Sequence, residues 1–186
     1  MDVAVLIPVK GFTDAKRRLA PALSADERRA LARTMAERVI AACGDLPVAV
    51  VCDDPEVVEW AAGHDVIVVT APGRGLNRAV EFGVDHLAGL GAAQVIVAHA
   101  DLPMANDMTQ LSRFGGVTLV PDRRDDGTNV ACIPTGRGFR FAYGPGSFGL
   151  HCREARRCEL GLHIVRRADL AWDVDQPDDL LLPSHA

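Results

Sequence analysis

Short, continuous apolar runs recur along the first hundred residues, and polar or amphipathic segments separate them. The first two runs cover Val3–Pro8 and Val48–Cys52. Because neither run alternates with polar residues, each is typical of a strand that is buried on both faces of a sheet. Two more runs predict strands over residues 66–69 and 95–98. The first half of the chain is therefore expected to supply buried strands.

Helices are predicted between these strands. Ser24 and Glu27 form an S-x-x-E capping box, which marks the start of a helix over residues 24–43. Gly44 then provides a C-terminal stop. Shorter helices are predicted over residues 55–62 and 75–87. The alternation of strands and helices predicts a mostly parallel, Rossmann-like sheet with helices on both faces.

The pattern changes after residue 101. Apolar runs over residues 117–120 and 129–133 predict two strands that only a short polar turn separates. No helix fits between them, so an antiparallel excursion from the parallel sheet is expected. A helix over residues 147–160 and a last strand over residues 162–165 complete the predicted elements.

Composition narrows the range of functions. The 186 residues are expected to form one α/β domain over residues 1–186. A net charge of −5 argues against binding to nucleic acid. No apolar run reaches the roughly 18 residues of a transmembrane helix, so no membrane association is expected. The five cysteines show no C-x-x-C spacing, which indicates reduced thiols in a cytoplasmic protein rather than a zinc site.

A carboxylate follows the predicted strand over residues 95–98. Asp101 lies where the strand ends, and ligands of open α/β sheets bind outside the carboxyl ends of strands. Asp101 is therefore a candidate metal ligand, with an N-cap for a helix after Pro103 as the alternative. His99 is interpreted as a core histidine inside the strand, with its hydrogen bonds satisfied, rather than as a ligand.

A second acidic cluster lies near the C-terminus. Asp173 and Asp175 alternate along an extended segment, so both side chains point to the same side. Two carboxylates on one face are costly unless a cation lies between them, and Mg²⁺ prefers oxygen ligands. Asp178 and Asp179 are interpreted as residues of the first turn of a helix.

Cations follow the first strand. Lys10 comes directly after it, and Lys16 and Arg18 come shortly later. At a strand end that faces Asp101, these side chains could neutralise a polyphosphate and its leaving group. The alternative is a solvated basic loop, since most lysines and arginines are exposed.

Two glycine-rich loops precede predicted helices. The first, Gly73-Arg74-Gly75, is followed by Asn77, and its helix N-terminus suits an anionic ligand. The second contains Gly144 and leads to Ser147, whose hydroxyl and following N–H groups could hold a phosphate or a carboxylate. In both cases the alternative is an ordinary turn with a helix cap. His151 follows on the second helix, where some side chains could face the anion.

These motifs together resemble the CofC/FbiD family of guanylyltransferases in coenzyme F420 biosynthesis. The segments that carry the resemblance extend over nearly the whole chain: IPVKGFTDAKRRL, GRGLNRAV, HADLP, DGTNV, YGPGSFGLH and WDVDQPDDL. The resemblance implies a nucleotidyltransferase fold of the GT-A-like type. It also implies GTP as donor, a small phospho-acid as acceptor and pyrophosphate as leaving group. The acceptor in different members is phosphoenolpyruvate, 2-phospho-L-lactate or 3-phosphoglycerate, and phosphoenolpyruvate is preferred here.

The resemblance also implies roles for individual residues. Asp101, Asp173 and Asp175 match the metal carboxylates, which would bind Mg²⁺. The acceptor contacts match Thr128, Gly144 and Ser147. The mechanism expected for this reaction, rather than the resemblance, makes Lys10, Lys16 and Arg18 the candidate catalytic cations. Gly75 and Asn77 are candidate nucleotide contacts. One feature departs from this picture, because Asp125 and Asp126 would oppose a phosphate unless they point outward.

Two rival functions stay open at this point. A molybdenum-cofactor or sugar-phosphate nucleotidyltransferase would typically have a glycine-rich loop after the first strand, where this chain has Pro8-Val9-Lys10-Gly11. A non-catalytic nucleotide-binding regulator would not need three convergent carboxylates. Beyond GTP and the phospho-acid, two candidate partners are a second copy in a homodimer and the downstream transferase of F420 biosynthesis, and the sequence does not decide the oligomeric state.

Overall fold

The computed structural model describes residues 1–71, 73 and 75–182, so Arg74 of the first glycine loop lies outside the described residues. Within these residues, seven strands form one sheet. Their bounds are β1 Val3–Pro8, β2 Val48–Cys52, β3 Ile67–Thr70, β4 Gln94–Ala98, β5 Val117–Pro121, β6 Thr128–Pro134 and β7 Leu162–Ile164. Each predicted strand is confirmed, and the first two have the predicted bounds.

The strand order is β3-β2-β1-β4-β6-β5-β7. β1 pairs in parallel with both β2 and β4, and β5 pairs in parallel with β7. β6 is antiparallel to its two neighbours, with Val130 opposite Ala98 of β4. The predicted antiparallel excursion is therefore confirmed. Because β6 is reversed, its first residue, Thr128, lies at the edge of the sheet where β1 and β4 end.

Helices cover both faces of the sheet. Their bounds are α1 Ala25–Ala41, α2 Pro55–Ala62, α3 Gly75–Gly89, α4 Ser147–Arg157 and α5 Ala168–Ala171. The capping box of α1 is confirmed: Ser24 Oγ accepts from Glu27 N at 3.3 Å, and the Glu27 carboxylate accepts from Ser24 N at 2.8 Å. The prediction for α4 is too long, because Glu159 has a φ of 54°, which a right-handed helix does not allow.

Two apolar layers enclose the sheet. One joins Val5 and Ile7 of β1 to α1 and α2, and the other joins Leu6 to α3 and α4. α3 packs directly on β1, since a Cβ added at Gly83 would come within 2.7 Å of Leu6 Cδ1. The continuous apolar runs thus fill both layers, and the polar residues that follow the strands are left at the sheet edge.

The segment after Asp101 does not form the helix that would make Asp101 an N-cap. Residues 101–108 are irregular, and a 3₁₀ turn follows at Thr109–Phe114. The alternative interpretation of Asp101 as a helix cap is therefore wrong. Across the described ranges, no helix has both the length and the apolar character needed to cross a bilayer.

Candidate active site

A cleft of about 730 Å³ opens at the carboxyl ends of β1, β2 and β4. Its walls are residues 8–18, the ends of β2 and β4, and the first turn of α3. Six of the predicted site residues line the cleft: Lys10, Lys16, Arg18, Gly75, Asp101 and Asp175. Both lysines of the chain belong to this set. The cleft therefore lies where ligands of open α/β sheets bind.

The Lys16 ammonium lies between two of the predicted carboxylates. Its Nζ is 2.5 Å from Asp101 Oδ2 and 3.0 Å from Asp175 Oδ1. Burial favours the neutral amine, but the two carboxylates outweigh this effect and raise the pKa of Lys16. Burial likewise opposes ionisation of Asp101, but Lys16 holds the pKa of Asp101 below its ordinary value. The loop after β1 is thus joined to both acidic segments by charged contacts.

The backbone at Lys16 adopts the left-handed conformation, with φ 53° and ψ 40°. This conformation costs roughly 1–2 kcal/mol in a residue that has a Cβ. The 3₁₀ turn Arg17–Leu19 follows directly, and its last residue is fully buried. Such strain persists where the surrounding structure enforces it, which occurs often at functional sites. Here it accompanies a side chain that is directed into the cleft.

Hydrogen bonds attach the segment of Asp173 and Asp175 to the end of β4. Val174 N donates to the backbone oxygen of Asp101 at 3.2 Å. The carboxylate of Asp179, which is fully buried, accepts from the backbone N–H of Asp175 at 2.8 Å and from that of the next residue at 2.7 Å. These bonds set the backbone from which both predicted metal carboxylates project.

The sequence did not indicate how Asp179 is used. It lies in the 3₁₀ turn Pro177–Leu180, which agrees with the predicted first turn of a helix. Its carboxylate also forms a salt bridge with Arg123, whose guanidinium carbon lies 4.2 Å from the centre of the Trp172 ring. Asp179 and Arg123 are 56 positions apart, so no local pattern could have revealed the pair.

Replacing Asp179 with asparagine should lower the free energy of unfolding by about 3 kcal/mol, since it removes the buried charge that Arg123 neutralises. It should also lower the transfer rate, because an amide has one acceptor oxygen and cannot keep both the backbone bond from Asp175 and the contact with Arg123. Chemical denaturation and initial rates measure the two effects. Asp178→Asn, at the exposed neighbouring residue, is the matched control and should change neither. Equal stability of the two variants would show that the Asp179 ion pair does not hold this segment.

Asp101, Asp173 and Asp175 have the chemistry that a hard cation requires. Oδ1 of Asp101 and Oδ1 of Asp173 are buried and have no hydrogen-bond partner. Burial, together with the charges of Asp101 and Asp175, raises the pKa of Asp173. A divalent cation at these oxygens would satisfy them and relieve the repulsion, and oxygen ligands are the type that Mg²⁺ prefers. Among the described residues, no group of three His, Cys, Asp or Glu side chains is placed so that it could hold a metal ion, and a shared metal site stays a prediction.

The other predicted cations are more exposed than Lys16. Lys10 is exposed at the mouth of the cleft. Arg18 has a side chain that is 70% exposed, and its guanidinium is 3.8 Å from the carboxylate of Asp175. Both cations can therefore reach an anion in the cleft, but solvent screens them more strongly.

Asn77 uses its amide group inside the protein. Its Oδ1 accepts from Tyr143 N at 2.7 Å, and its Nδ2 donates to Tyr143 O at 3.3 Å. Asn77 therefore attaches α3 to the loop that carries Gly144. Gly75, with a φ of 65°, lies at the first position of α3 and lines the cleft. Of the two predicted nucleotide contacts, only Gly75 lines the cleft.

The predicted acceptor residues Thr128 and Ser147 meet at the starts of β6 and α4. Thr128 N donates to Ser147 Oγ at 3.0 Å, and Thr128 Oγ1 is 2.9 Å from His151 Nδ1. Thr128 and Ser147 are only 1% and 2% exposed. They therefore form a buried hydroxyl pair and do not belong to the walls of the cleft.

The glycine loop before α4 is held by an acidic side chain. Gly144 and Gly146 have φ values of 133° and 70°, which favour glycine. The N–H of Gly146 donates to the carboxylate of Asp126 at 3.2 Å. Asp125 instead pairs with Arg166 at 3.0 Å on the surface. Asp126 therefore stabilises the glycine loop, and Asp125 faces solvent, so neither carboxylate has to oppose a bound phosphate.

The interpretation of His99 as a satisfied core histidine inside the strand is wrong. β4 ends at Ala98, and His99 is one of the residues that line the cleft, two positions before Asp101. Its Nε2 is buried and has no hydrogen-bond partner, and its ring centre is 4.9 Å from that of Tyr143. The backbone still continues the sheet, since His99 N donates to Asn129 O. This continuation explains why the sequence pattern favoured a strand residue.

Comparison with known proteins connects this geometry to a family. Residues 3–182 match the family model described as "Guanylyl transferase CofC like". The chain belongs to the CofC-like guanylyl transferase family. The resemblance inferred from the motifs is thereby confirmed, and the protein is a nucleotidyl-transferring enzyme.

Relatives of this CofC-like chain cover nearly its whole length. A phosphoenolpyruvate guanylyltransferase of Sphaerobacter thermophilus is 36% identical and aligns with 97% of this chain and 91% of its own. A second enzyme of that name, from Conexibacter woesei, is 37% identical and aligns with 97% of this chain and 86% of its own. A 2-phospho-L-lactate guanylyltransferase of Methanocaldococcus jannaschii is 27% identical and aligns with 97% of this chain and 81% of its own.

Solved structures support the fold of the CofC-like chain. A nucleotide-diphospho-sugar transferase from Desulfovibrio desulfuricans G20 superimposes with a TM-score of 0.77 at 16% identity, covering 97% of this chain and 85% of its own. A nucleotidyl transferase from Methanothermobacter gives a TM-score of 0.68 at 17% identity, and the match covers 97% of this chain and 94% of its own. The predicted nucleotidyltransferase fold is therefore confirmed.

The CofC-like protein should lose stability as the pH falls, and His151 should account for a defined part of the loss. Burial lowers the pKa of His151 from 6.5 to about 4. Below about pH 6.5 the unfolded chain binds a proton that the folded protein does not, so acid favours unfolding. The stabilisation from His151 is complete above pH 6.5 and declines toward pH 4. It should fall by about 2 kcal/mol between about pH 7.5 and about pH 5.

Urea denaturation of the wild type and of His151→Gln across this pH range measures that contribution. Because glutamine does not titrate, the difference in unfolding free energy between the two proteins should shrink by about 2 kcal/mol on acidification. If the difference in unfolding free energy between the two proteins stays constant with pH, His151 has the same pKa in the folded and the unfolded protein.

Proposed function

We propose that this protein transfers GMP from GTP to phosphoenolpyruvate, with release of pyrophosphate, as a cytoplasmic step of coenzyme F420 biosynthesis. The observation that carries the proposal is the cleft in which Lys16 lies between Asp101 and Asp175, in a chain of the CofC-like family. The choice of acceptor is supported by the relatives at 36% and 37% identity, which are named phosphoenolpyruvate guanylyltransferases.

The chemistry requires no nucleophile from the protein. A phosphate oxygen of the acceptor attacks the α-phosphorus of GTP, and the bond to the pyrophosphate oxygen breaks. The acceptor phosphate is already ionised, so catalysis consists of positioning and charge stabilisation. Lys16 would contact the triphosphate most closely, because its ammonium is held at the floor of the cleft. Lys10 and Arg18 would stabilise the departing pyrophosphate from the rim.

The acidic side chains have a separate role. Asp101, Asp173 and Asp175 would bind Mg²⁺, which supplies positive charge and polarises phosphoryl oxygens when bound. The two buried carboxylate oxygens that have no hydrogen-bond partner and the raised pKa of Asp173 support this assignment, although Oδ1 of Asp173 also lies 3.9 Å from the Arg123 guanidinium. Lys16 would then exchange part of its contact with Asp101 and Asp175 for contact with the nucleotide.

The acceptor is proposed to bind near Thr128, Gly144 and Ser147, and the nucleotide near Gly75 and Asn77. The reversed direction of β6 brings Thr128 to the same sheet edge as Asp101, which supports an acceptor next to the triphosphate. The homodimer and the contact with the downstream transferase stay predictions.

A second acceptor, 2-phospho-L-lactate, is the alternative that a specific observation favours, since a relative with that name also matches 97% of the chain. Phosphoenolpyruvate is planar at C2 and phospholactate is tetrahedral. A pocket that selects by this difference in shape gains only about 1–3 kcal/mol, so the preference has to be measured.

One experiment tests the nucleotide and the acceptor together. The purified protein is incubated with Mg²⁺ and with GTP, ATP or CTP, each in combination with phosphoenolpyruvate, 2-phospho-L-lactate or 3-phosphoglycerate. Mass spectrometry then identifies the conjugate. We expect the guanosine diphospho-conjugate of phosphoenolpyruvate as the main product. A clear preference for phospholactate would overturn the acceptor, and an absence of conjugates with every pair would overturn the proposed reaction.

A further inference from the structure

His151 connects three separate segments at the edge of the sheet. It projects from α4 and is fully buried. Its Nδ1 is 2.9 Å from the hydroxyl of Thr128, at the start of β6. Its Nε2 is 2.9 Å from the backbone N–H of Ala142, in the loop that leads to Gly144. A buried imidazole with both nitrogens engaged is a rigid connection between these segments.

These contacts determine which ring nitrogen carries the proton. A backbone N–H can only donate, so Nε2 of His151 must accept from Ala142 and cannot itself be protonated. The proton of the neutral imidazole is therefore on Nδ1, which donates to Thr128 Oγ1. The Thr128 oxygen acts as an acceptor in this bond, and its own hydroxyl proton remains available to another group.

The hydroxyl oxygen of Ser147 also acts as an acceptor. Its Oγ accepts from Thr128 N at 3.0 Å, so its hydroxyl proton is also available. Within the part of the chain that the structure describes, neither hydroxyl proton has a protein acceptor. Each hydroxyl oxygen thus accepts one hydrogen bond and keeps a donor that the phosphate or the carboxylate of an acceptor could receive. Neutral hydroxyls can donate to an anion without forming an ion pair.

We infer that His151 is a positioning residue of the acceptor site, which holds the Thr128 hydroxyl as a hydrogen-bond donor toward the phospho-acid. This inference rests on the proposed function, in which Thr128 contacts the acceptor. The role requires a neutral imidazole at working pH. Burial satisfies that condition, since it lowers the pKa of His151 to about 4. His151 acts through Thr128 and does not itself touch the reacting atoms.

A double-mutant cycle tests the inference in the full-length protein. Thr128→Val removes the hydroxyl and keeps the shape of the side chain, and His151→Phe removes both ring nitrogens. Initial rates with varied phosphoenolpyruvate and with varied GTP give the two KM values for each single variant and for the double variant. Each single variant should raise the KM for phosphoenolpyruvate by about tenfold, as expected for one hydrogen bond, and leave the KM for GTP within about twofold. In the Thr128→Val background, His151→Phe should have no further effect on the KM for phosphoenolpyruvate.

A second variant separates positioning from folding. His151→Gln keeps one acceptor and one donor on the same side chain. If this variant folds, its KM for phosphoenolpyruvate should therefore lie close to the wild-type value. Thermal melting is measured for every variant, and His86→Gln, at an exposed site on α3, is the control histidine. Independent, multiplying effects in the cycle, or an equal rise in the KM for GTP, would overturn the inference. A wild type that forms no conjugate with any acceptor would overturn the proposed function instead.

Discussion

Asp173→Asn is expected to lower the rate of guanylyl transfer by at least about 10³-fold without loss of stability. The variant removes one negative charge from the cluster that is proposed to bind Mg²⁺, and metal stabilisation of a transition state amounts to several kcal/mol. Burial and the charges of Asp101 and Asp175 disfavour the ionised Asp173, as its raised pKa indicates. The neutral amide should therefore leave the free energy of unfolding unchanged or slightly higher.

Pyrophosphate release over a range of Mg²⁺ concentrations and urea denaturation without metal measure the two effects of Asp173→Asn. Asp178→Asn makes the same chemical change at an exposed position nearby and should retain the wild-type rate. If Asp173→Asn turns over like the wild type at limiting Mg²⁺, Asp173 is not a metal ligand.

Lys16→Ala is expected to lower the transfer rate by about 10²–10³-fold, the loss typical of one preorganised electrostatic contact. Lys16 lines the cleft, and its ammonium is held against two carboxylates in a side chain that is only 13% exposed. Its removal leaves Asp101 without its ammonium partner, so the metal-free variant should also lose about 2 kcal/mol of stability. Rates at saturating substrate and urea denaturation without metal measure these effects.

Lys10→Ala is the matched comparison for Lys16→Ala, because it removes the only other lysine, which is exposed on the same cleft. Solvent screens an exposed cation, so its loss should lower the rate by less than about tenfold. If Lys16→Ala loses stability but keeps its rate, Lys16 is a structural partner of Asp101 and the catalytic assignment is wrong.

Local sequence patterns predicted the elements of this fold closely. β1, β2 and α2 have the predicted bounds, because an uninterrupted apolar run or a capped amphipathic segment is specified by neighbouring residues. The capping box at Ser24 is a purely local interaction and was predicted for the same reason. The end of α4 was missed, since the left-handed residue there is a glutamate rather than a glycine.

The sequence also located part of the site. The carboxyl ends of parallel strands meet at one sheet edge, so residues that directly follow β1 and β4 had to lie close together. Lys16 and Asp101 do so, and both line the cleft. Topology places both residues at this sheet edge, and the folded loop after β1 decides that Lys16 is the lysine that pairs with Asp101.

The tertiary structure decided the contacts between distant segments. The Asp179–Arg123 ion pair, the hydrogen bonds of Asn77 to the glycine loop, and the connection from His151 to Thr128 each join residues at least 23 positions apart. No periodic pattern encodes such contacts, because they depend on how β6 reverses and where α4 packs. The chain by itself thus determined the elements and the residue types at the strand ends. The folded structure determined which polar side chains are free to meet a substrate, because a polar group is free only when no distant segment supplies its partner.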